Sequence, residues 1–317
     1  MKKISVLIPC YNEEENVIPL SEAIIEQFEK YLGQYDYEII FIDNDSKDET
    51  RARLAGLCAE NKRIKAIFNA KNFGQFNSPY YGMCQTTGDC TISMSADFQD
   101  PVELIPKLVK EWENGYRIVC AIKTSSKENG FVRFLRTCYY KIIKKMSDVE
   151  QIEHFTGTGL YDRSFIEVLK NLDDPAPFLR GIVAELGFKR KDVPYEQQQR
   201  RAGKTSNNWY KLYDAAMLSF TSYTKIGLRV ATIFGFFISF ISVLIAVAYL
   251  VAKLMFWDNF PMGNAPILIG VFMLGGIQLF FIGLLGEYIL NINTRIMKRP
   301  LVIEEKRLNF DDENKDK

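Results

Sequence analysis

The chain has 317 residues, with 40 Lys and Arg against 39 Asp and Glu and a formal net charge of +1. That length allows one catalytic-sized domain with an appendage, and the near-neutral charge gives no electrostatic case for a nucleic-acid partner. Six cysteines without a C-x-x-C pair and a single histidine argue against a zinc site.

Met1-Lys2-Lys3 leads straight into Ile4–Ile8, an apolar run too short for a signal peptide and closed by Pro9. Such a run predicts a buried parallel strand. A helical pattern covers Glu13 to about Tyr31. A second strand, Tyr37–Ile42, stops at Asp43, and Asp48 to about Glu60 reads as a helix with Asp48 as N-cap. Ile64–Phe68, Cys90–Met94 and Arg117–Ala121 predict further strands, and Asn77–Cys84, Pro101–Trp112 and Val132–Lys145 predict helices. This alternation predicts an α/β domain whose mostly parallel sheet is flanked by helices. Ligands of such sheets bind beyond the carboxyl ends of the strands. Cys10, Cys58, Cys84, Cys90, Cys120 and Cys138 fall in apolar patterns and read as reduced core residues of a cytoplasmic domain.

Two long apolar stretches follow, at about 230–252 and 266–290. As helices of roughly 23 to 25 residues, each reaches about 35 Å, enough to cross a hydrocarbon core of about 30 Å. Lys225 and Arg229 precede the first, Arg295, Lys298 and Arg299 follow the second, and the loop between carries only Lys253 and Asp258. The positive-inside rule then places both ends in the cytoplasm, with Phe256 and Trp257 as interfacial anchors. Glu287 is expected at the interface or beside a basic residue. Residues 209–224 place apolar side chains at helical spacing, which suits either a helix on the bilayer surface or one packed on the domain. The expected organisation is a catalytic domain over 1–206, an amphipathic helix over 207–226, a transmembrane hairpin over 227–292 and a charged tail over 293–317. The tail from Glu304 to Lys317 reads as disordered.

Polar clusters end three of the strands. The first is Pro9-Cys10-Tyr11-Asn12-Glu13-Glu14, which suits a nucleotide contact or a helix start. The second is Asp43-Asn44-Asp45-Ser46, whose carboxylates must be solvated or bind something. The third is Ser95-Ala96-Asp97-Phe98-Gln99-Asp100-Pro101. Acidic groups after a buried strand suit a divalent ion that bridges phosphates, and Asp100 also reads as a helix N-cap. Neither G-x-G-x-x-G nor a G-K-S/T loop is present.

In order and spacing these clusters, with Asn69-Ala70-Lys71-Asn72-Phe73-Gly74, resemble glycosyltransferase family 2, which has a GT-A-type fold. With the C-terminal apolar hairpin, Gly286-Glu287-Tyr288 and Lys298-Arg299-Pro300, the chain is similar to that family's polyprenyl-phosphate glycosyltransferases, such as bactoprenol glucosyltransferases and relatives of dolichyl-phosphate mannose synthase. The resemblance implies a nucleotide-sugar site at Pro9, Tyr11, Asn12, Glu13, Asp43, Asp45, Asn72, Gly74 and Asp97. It implies Mg²⁺ or Mn²⁺ at Asp97 and Gln99, with Arg200 joining them in catalysis. Arg200, Arg201, Gly203, Lys204 and Thr205 match an R-x-x-G-x-S segment that would meet the diphosphate or the lipid phosphate. The partners implied are a nucleotide-sugar donor, a polyprenyl phosphate acceptor and membrane lipid. A homo-oligomer is compatible with the lipid-facing surface of a hairpin.

Two positions depart from that pattern. Ser95 stands where the family often has a carboxylate, and Gly157 falls where relatives carry an Asp assigned as base. The stretch Glu153–Arg163, rich in glycine, resembles the relatives' strand that carries this Asp, and His154 beside it is a further candidate, as a phosphate contact or a structural histidine. A phosphate monoester, with its second pKa about 6, is already ionised near neutrality and attacks without a base; a sugar hydroxyl needs one. The sequence therefore favours inverting transfer from a nucleotide-sugar, a UDP-sugar first, to polyprenyl (undecaprenyl) phosphate at the cytoplasmic membrane face. The alternatives are a processive polysaccharide synthase, although Gln197-Gln198-Gln199-Arg200-Arg201 lacks the Trp of its Q-x-x-R-W motif, and a non-catalytic nucleotide-sugar-binding scaffold.

Overall fold

Strand β1 (Lys3–Cys10) and strand β2 (Asp36–Asp43) are apolar on both faces because helices cover both. Val6 and Ile8 of β1, with Ile39 and Phe41 of β2, face one core, formed with helices α1 (Val17–Tyr31), α2 (Thr50–Glu60) and α4 (Leu104–Glu113). Leu7, Ile40 and Ile42 face the other, formed with α3 (Gly74–Cys84), α5 (Arg163–Leu172) and α6 (Leu179–Glu185). The computed structural model describes residues 1–125, 152–172, 174–201, 213–214, 217–218, 220–222, 226–255, 265–297 and 299–310.

The remaining strands are β3 (Ile64–Asn69), β4 (Cys90–Ser93), β5 (Ile118–Ser125), β6 (Phe155–Asp162), β7 (Arg190–Glu196) and β8 (Glu304–Leu308). They form one sheet in the order β7-β5-β6-β4-β1-β2-β3-β8. β4, β1, β2 and β3 run parallel, as do β5 and β7. β6 runs antiparallel to β4 and β5, and β8 antiparallel to β3. The expected α/β domain with a mixed, mostly parallel sheet is present. Gly159 permits the β5–β6 approach, since a Cβ there would fall against the Val119 carbonyl oxygen.

Several expectations need correction. Helix α1 begins at Val17, because residues 13–16 form a turn closed by Asn16 N–H donating to the Glu13 carbonyl at 2.9 Å. Helix α4 begins at Leu104, so Asp100 is not its N-cap. Asp48 lies before α2 and accepts the Thr50 N–H at 3.1 Å. The tail expected to be disordered from Glu304 instead supplies β8, which β3 captures as an edge strand. Its run of charges suits an edge that must not recruit another chain. The helix expected at 132–145, and Cys138, lie outside the described residues. Cys10, Cys58, Cys90 and Cys120 are buried free thiols, as expected of core residues.

Two long helices, α7 (Ile226–Met255) and α8 (Ala265–Ile296), contain the expected spans. Among the described residues one stretch, Leu274–Ile296, is long and apolar enough to cross a membrane. What stands is thus one long apolar C-terminal helix of that kind, not the expected two-span hairpin. The loop with Phe256 and Trp257 lies outside the described residues. Among the described residues the partner of Glu287 is the Tyr213 hydroxyl, which donates to it at 3.0 Å. Asn291 donates to Thr221 at 2.6 Å and to Ser222 at 3.1 Å, and the Phe220 and Tyr288 rings lie 6.3 Å apart. The described part of the 207–226 segment therefore packs on α8.

At the end of the sheet away from the carboxyl ends of β1 and β2, Glu38 is buried and salt-bridged to Lys3 at 2.9 Å and Lys65 at 2.8 Å. Ser5 and the Thr87 N–H also donate to it, at 2.6 and 2.8 Å. Burial alone would raise its pKa, but bonds from Lys65, Ser5, Thr87 and Lys3 outweigh that and hold it at about 2. A carboxylate lowered in the folded state stabilises fully above its unfolded pKa of about 4.5, and that contribution is lost as pH falls towards 2. Glu38→Gln is expected to cost about 3 kcal/mol at pH 7. Urea midpoints of wild type and variant should converge between pH 4.5 and 2.

Candidate active site

The carboxyl ends of β1, β2 and β4 lie side by side, and each passes into a loop holding one non-glycine residue at positive φ: Asn12 (55°), Asp45 (67°) and Phe98 (59°). Asn and Asp tolerate this conformation, whereas Phe there is a true outlier. The first two loops are tied together. Asn12 N–H donates to Ser46 at 2.8 Å, Asn12 Oδ1 accepts the Lys47 N–H at 2.8 Å, and Glu13 N–H donates to Thr50 at 2.9 Å. Asn12 thus spends its side chain on the neighbouring loop.

Asp43 ends β2 fully buried, paired with Arg51 of α2 at 2.7 Å. Arg51 also reaches Glu305 of β8 at 2.8 Å and the Asn69 carbonyl at 2.6 Å. Asp43 Oδ1 is buried with no hydrogen-bond partner among the described residues. Asp45 is paired with Lys47 at 2.7 Å. The sequence reading missed Arg51, whose helical position carries no local signal. It also missed Asn44, which accepts from Phe73 N–H and Asn69 and donates to Asn72. Asn44 thereby fixes the loop into α3, where Gly74 at φ +90° supplies a turn that other residues resist.

A cleft of about 370 Å³ opens along this edge, lined by Pro9, Cys10, Tyr11, Asn44, Asn72 and Gly74 together with Gln75, Phe76, Ser78, Pro79 and Asp214. It brings together Pro9, Tyr11, Asn72 and Gly74 of the expected nucleotide-sugar residues. Burial first, then the charges of Asp43, Glu13 and Asp48, push the Cys10 thiol well above its ordinary pKa. It is therefore a neutral thiol with no nucleophilic role.

Asp97 is buried, and its Oδ2 accepts from Arg200 at 2.8 Å. Arg200 also lies 3.8 Å from Glu13. Burial raises the Glu13 pKa and the neighbouring Asp97 adds to this, against the Asn16 hydrogen bond and the Arg200 charge. The loop bearing Arg200 is docked by its backbone. Gln198 N–H donates to the Gln99 carbonyl at 3.1 Å and Arg201 N–H to the Asp97 carbonyl at 3.3 Å. The Arg201 guanidinium lies 5.2 Å from the Phe98 ring centre. Gly203, Lys204 and Thr205 lie outside the described residues.

These observations meet in one family. The sequence profile of glycosyl transferase family 2 matches residues 5–170. The chain belongs to glycosyl transferase family 2. It is 33% identical to the bactoprenol glucosyl transferase of Shigella phage SfX, over 96% of this chain and 99% of that protein. It is 32% identical to the prophage bactoprenol glucosyl transferase homolog of Escherichia coli strain K12, over 95% and 98%. It is also similar to a solved structure of glucosyl-3-phosphoglycerate synthase from Mycobacterium tuberculosis, at 16% identity and TM-score 0.45 over 69% of this chain and 78% of that one.

For a family 2 glycosyltransferase the carboxylate set is sparse. Among the described residues, no group of three or more His, Cys, Asp or Glu could hold a metal ion. Asp97 offers one carboxylate, with Arg200 already on it. Asp100 is consumed: Ser95 donates to Oδ2 through N–H (3.0 Å) and hydroxyl (2.7 Å), Thr158 donates to Oδ2 (2.8 Å) and Tyr195 to Oδ1 (2.6 Å). Ser95 and Thr158 thus anchor Asp100. This donor set fits only a divalent ion that takes most of its ligands from a diphosphate and water. His154 is exposed, sits at φ +58° before β6 and lines neither this cleft nor its neighbour. Arg51→Met is expected to leave the Asp43 carboxylate buried without its counterion, at about 3 kcal/mol. The urea midpoint should fall accordingly, while Arg51→Lys recovers part of the loss.

Proposed function

We propose that this family 2 glycosyltransferase moves a sugar from a nucleotide-sugar, a UDP-sugar first, onto polyprenyl (undecaprenyl) phosphate. The observation that carries this reading is the extent of similarity to the bactoprenol glucosyl transferase of Shigella phage SfX, 96% of this chain and 99% of that protein. An alignment of that length takes in the apolar helices as well as the sheet.

In this reading Pro9, Tyr11, Asn72 and Gly74 hold the nucleoside, and the unmet acceptor on Asp43 takes a donor from it. A divalent ion, when bound, would offset charge on the diphosphate, and Asp97 and Gln99 would hold it. Arg200 leaves Asp97 for the diphosphate and stabilises the negative charge that grows on the departing group. The acceptor phosphate attacks the anomeric carbon from the opposite side as the bond to the diphosphate breaks, which inverts that centre. No proton need be removed from an acceptor already ionised, which accords with Asp97 being paired with Arg200 and Asp100 being held on both oxygens.

Exposed Leu279, Phe280, Ile282 and Ile289 on α8 support membrane association. With Arg295 in its last turn and Arg299 just beyond it, we place the catalytic domain on the cytoplasmic face.

The test is transfer from radiolabelled UDP- and GDP-sugars to undecaprenyl phosphate by the purified chain, with Mn²⁺ or with chelator. Chelator-sensitive label in the lipid phase is the expected result. No lipid product from any donor, with nucleotide binding intact, would sink the reading. Asp97→Asn is expected to lower kcat about 100-fold or more while membrane insertion is unchanged.

A further inference from the structure

A second cleft, of about 250 Å³, adjoins the first and shares Pro9, Gln75, Phe76 and Pro79 with it. Its far wall comes from β6 and α6, through Thr156, Gly157, Thr158, Phe178, Leu179 and Arg180. Arg180 is the one charged side chain lining it among the described residues. The guanidinium lies 5.9 Å from the Phe178 ring centre, in range to be held against that apolar face. Gly157 leaves the floor open: a Cβ there would meet only Leu179, at 4.0 Å, and its φ of +104° disfavours any side chain. Asp100, behind Thr158, has both oxygens occupied by Ser95, Thr158 and Tyr195. Among the described residues the wall thus offers one cation, several apolar side chains and no carboxylate able to take a proton.

That combination selects the chemistry of its occupant. A neutral hydroxyl acceptor would find no base, and a small hydrophilic anion would leave the aromatic walls unused. An amphiphile that is already an anion satisfies both. We propose that this cleft is the acceptor site, with Arg180 binding the phosphate monoester and Phe76, Phe178 and Leu179 receiving the start of its hydrocarbon chain. The assignment rests on the lipid-phosphate reading above and adds the residues that would realise it. One unbridged phosphate oxygen forms the bond to the anomeric carbon. The bond from that carbon to the diphosphate oxygen breaks, and its electron pair leaves with the nucleoside diphosphate. The acceptor enters as a dianion and leaves as a diester monoanion, so Arg180 holds substrate more tightly than product. Arg180 therefore also favours product release.

The experiment compares full-length wild type, Arg180→Gln, Arg180→Lys and Leu179→Trp in detergent. It reads KM for undecaprenyl phosphate, UDP affinity by calorimetry and the thermal midpoint. Loss of a charge-assisted phosphate contact predicts a KM at least about tenfold higher for Arg180→Gln. UDP affinity should stay within twofold and the midpoint should hold. Arg180→Lys should recover part, since it keeps the charge but not the paired donors. Leu179→Trp, which fills the cleft without touching the cation, should raise the same KM. Geranyl phosphate separates the two parts of the site, because Arg180→Gln should weaken it as much as the long lipid while inorganic phosphate competes poorly. An unchanged KM in Arg180→Gln, or a fall in UDP affinity equal to the rise in KM, overturns the assignment. A wild type that transfers sugar to no lipid phosphate fails at the earlier step and is recognised before any variant is read.

Discussion

A carboxylate taken out of water costs several kcal/mol unless a counterion or a full set of donors meets it, and the edge of the sheet that carries the cleft is organised around that cost. Asp43 is met by Arg51, Asp97 by Arg200, and Asp100 by two hydroxyls, a phenol and a backbone N–H. Each partner comes from a different part of the chain. The charges therefore fasten α2, β6, β7 and the 197–201 loop to the ends of two parallel strands, β2 and β4. Remove the acids and the elements around the cleft lose the reason for their positions.

The same accounting separates two kinds of acid that look alike in a linear sequence. Among the described residues Asp97 has one side-chain partner, Arg200 of the 197–201 loop, whereas Asp100 is held on both oxygens from inside the fold. Ser95, a departure from the family's usual carboxylate, makes sense in this light as a double donor to Asp100. Gly157 likewise belongs to an open wall opposite Leu179. A site that has shed a proton acceptor in this way suits a nucleophile that arrives deprotonated.

The buried strands and the polar clusters at their ends were legible from Ile4–Ile8, Tyr37–Ile42 and the acids that follow; the order of the strands in the sheet was not. Period-2 burial between two helical layers leaves that mark locally. What could not be read was non-local. Glu304–Leu308 is nearly all charge and looks like a solvated tail; it is a strand only because β3 has an edge free to pair with it. Arg51 sits inside an ordinary helical pattern, and its importance lies in Asp43, Asn69 and Glu305, one of which is 254 positions away. Asp100 had the spacing of a helix cap, but donors from β6 and β7 claimed it first. Phe98 at positive φ is invisible in composition, because its strain is sustained by the loop that stacks Arg201 on it.

β8 follows the apolar α8 in the chain and is stitched into the sheet that β1 begins. Arg295, near the end of α8, is paired with Asp174 at 2.8 Å, and Tyr213 ahead of α7 is bonded to Glu287. The globular part is therefore riveted to α8 at more than one point rather than leashed by a single linker. Once α8 is in a bilayer, the domain loses most of its freedom to tumble and its cleft keeps a fixed height and tilt over the lipid surface. Any reactant confined to the same surface would then have only to diffuse in the plane to reach the domain.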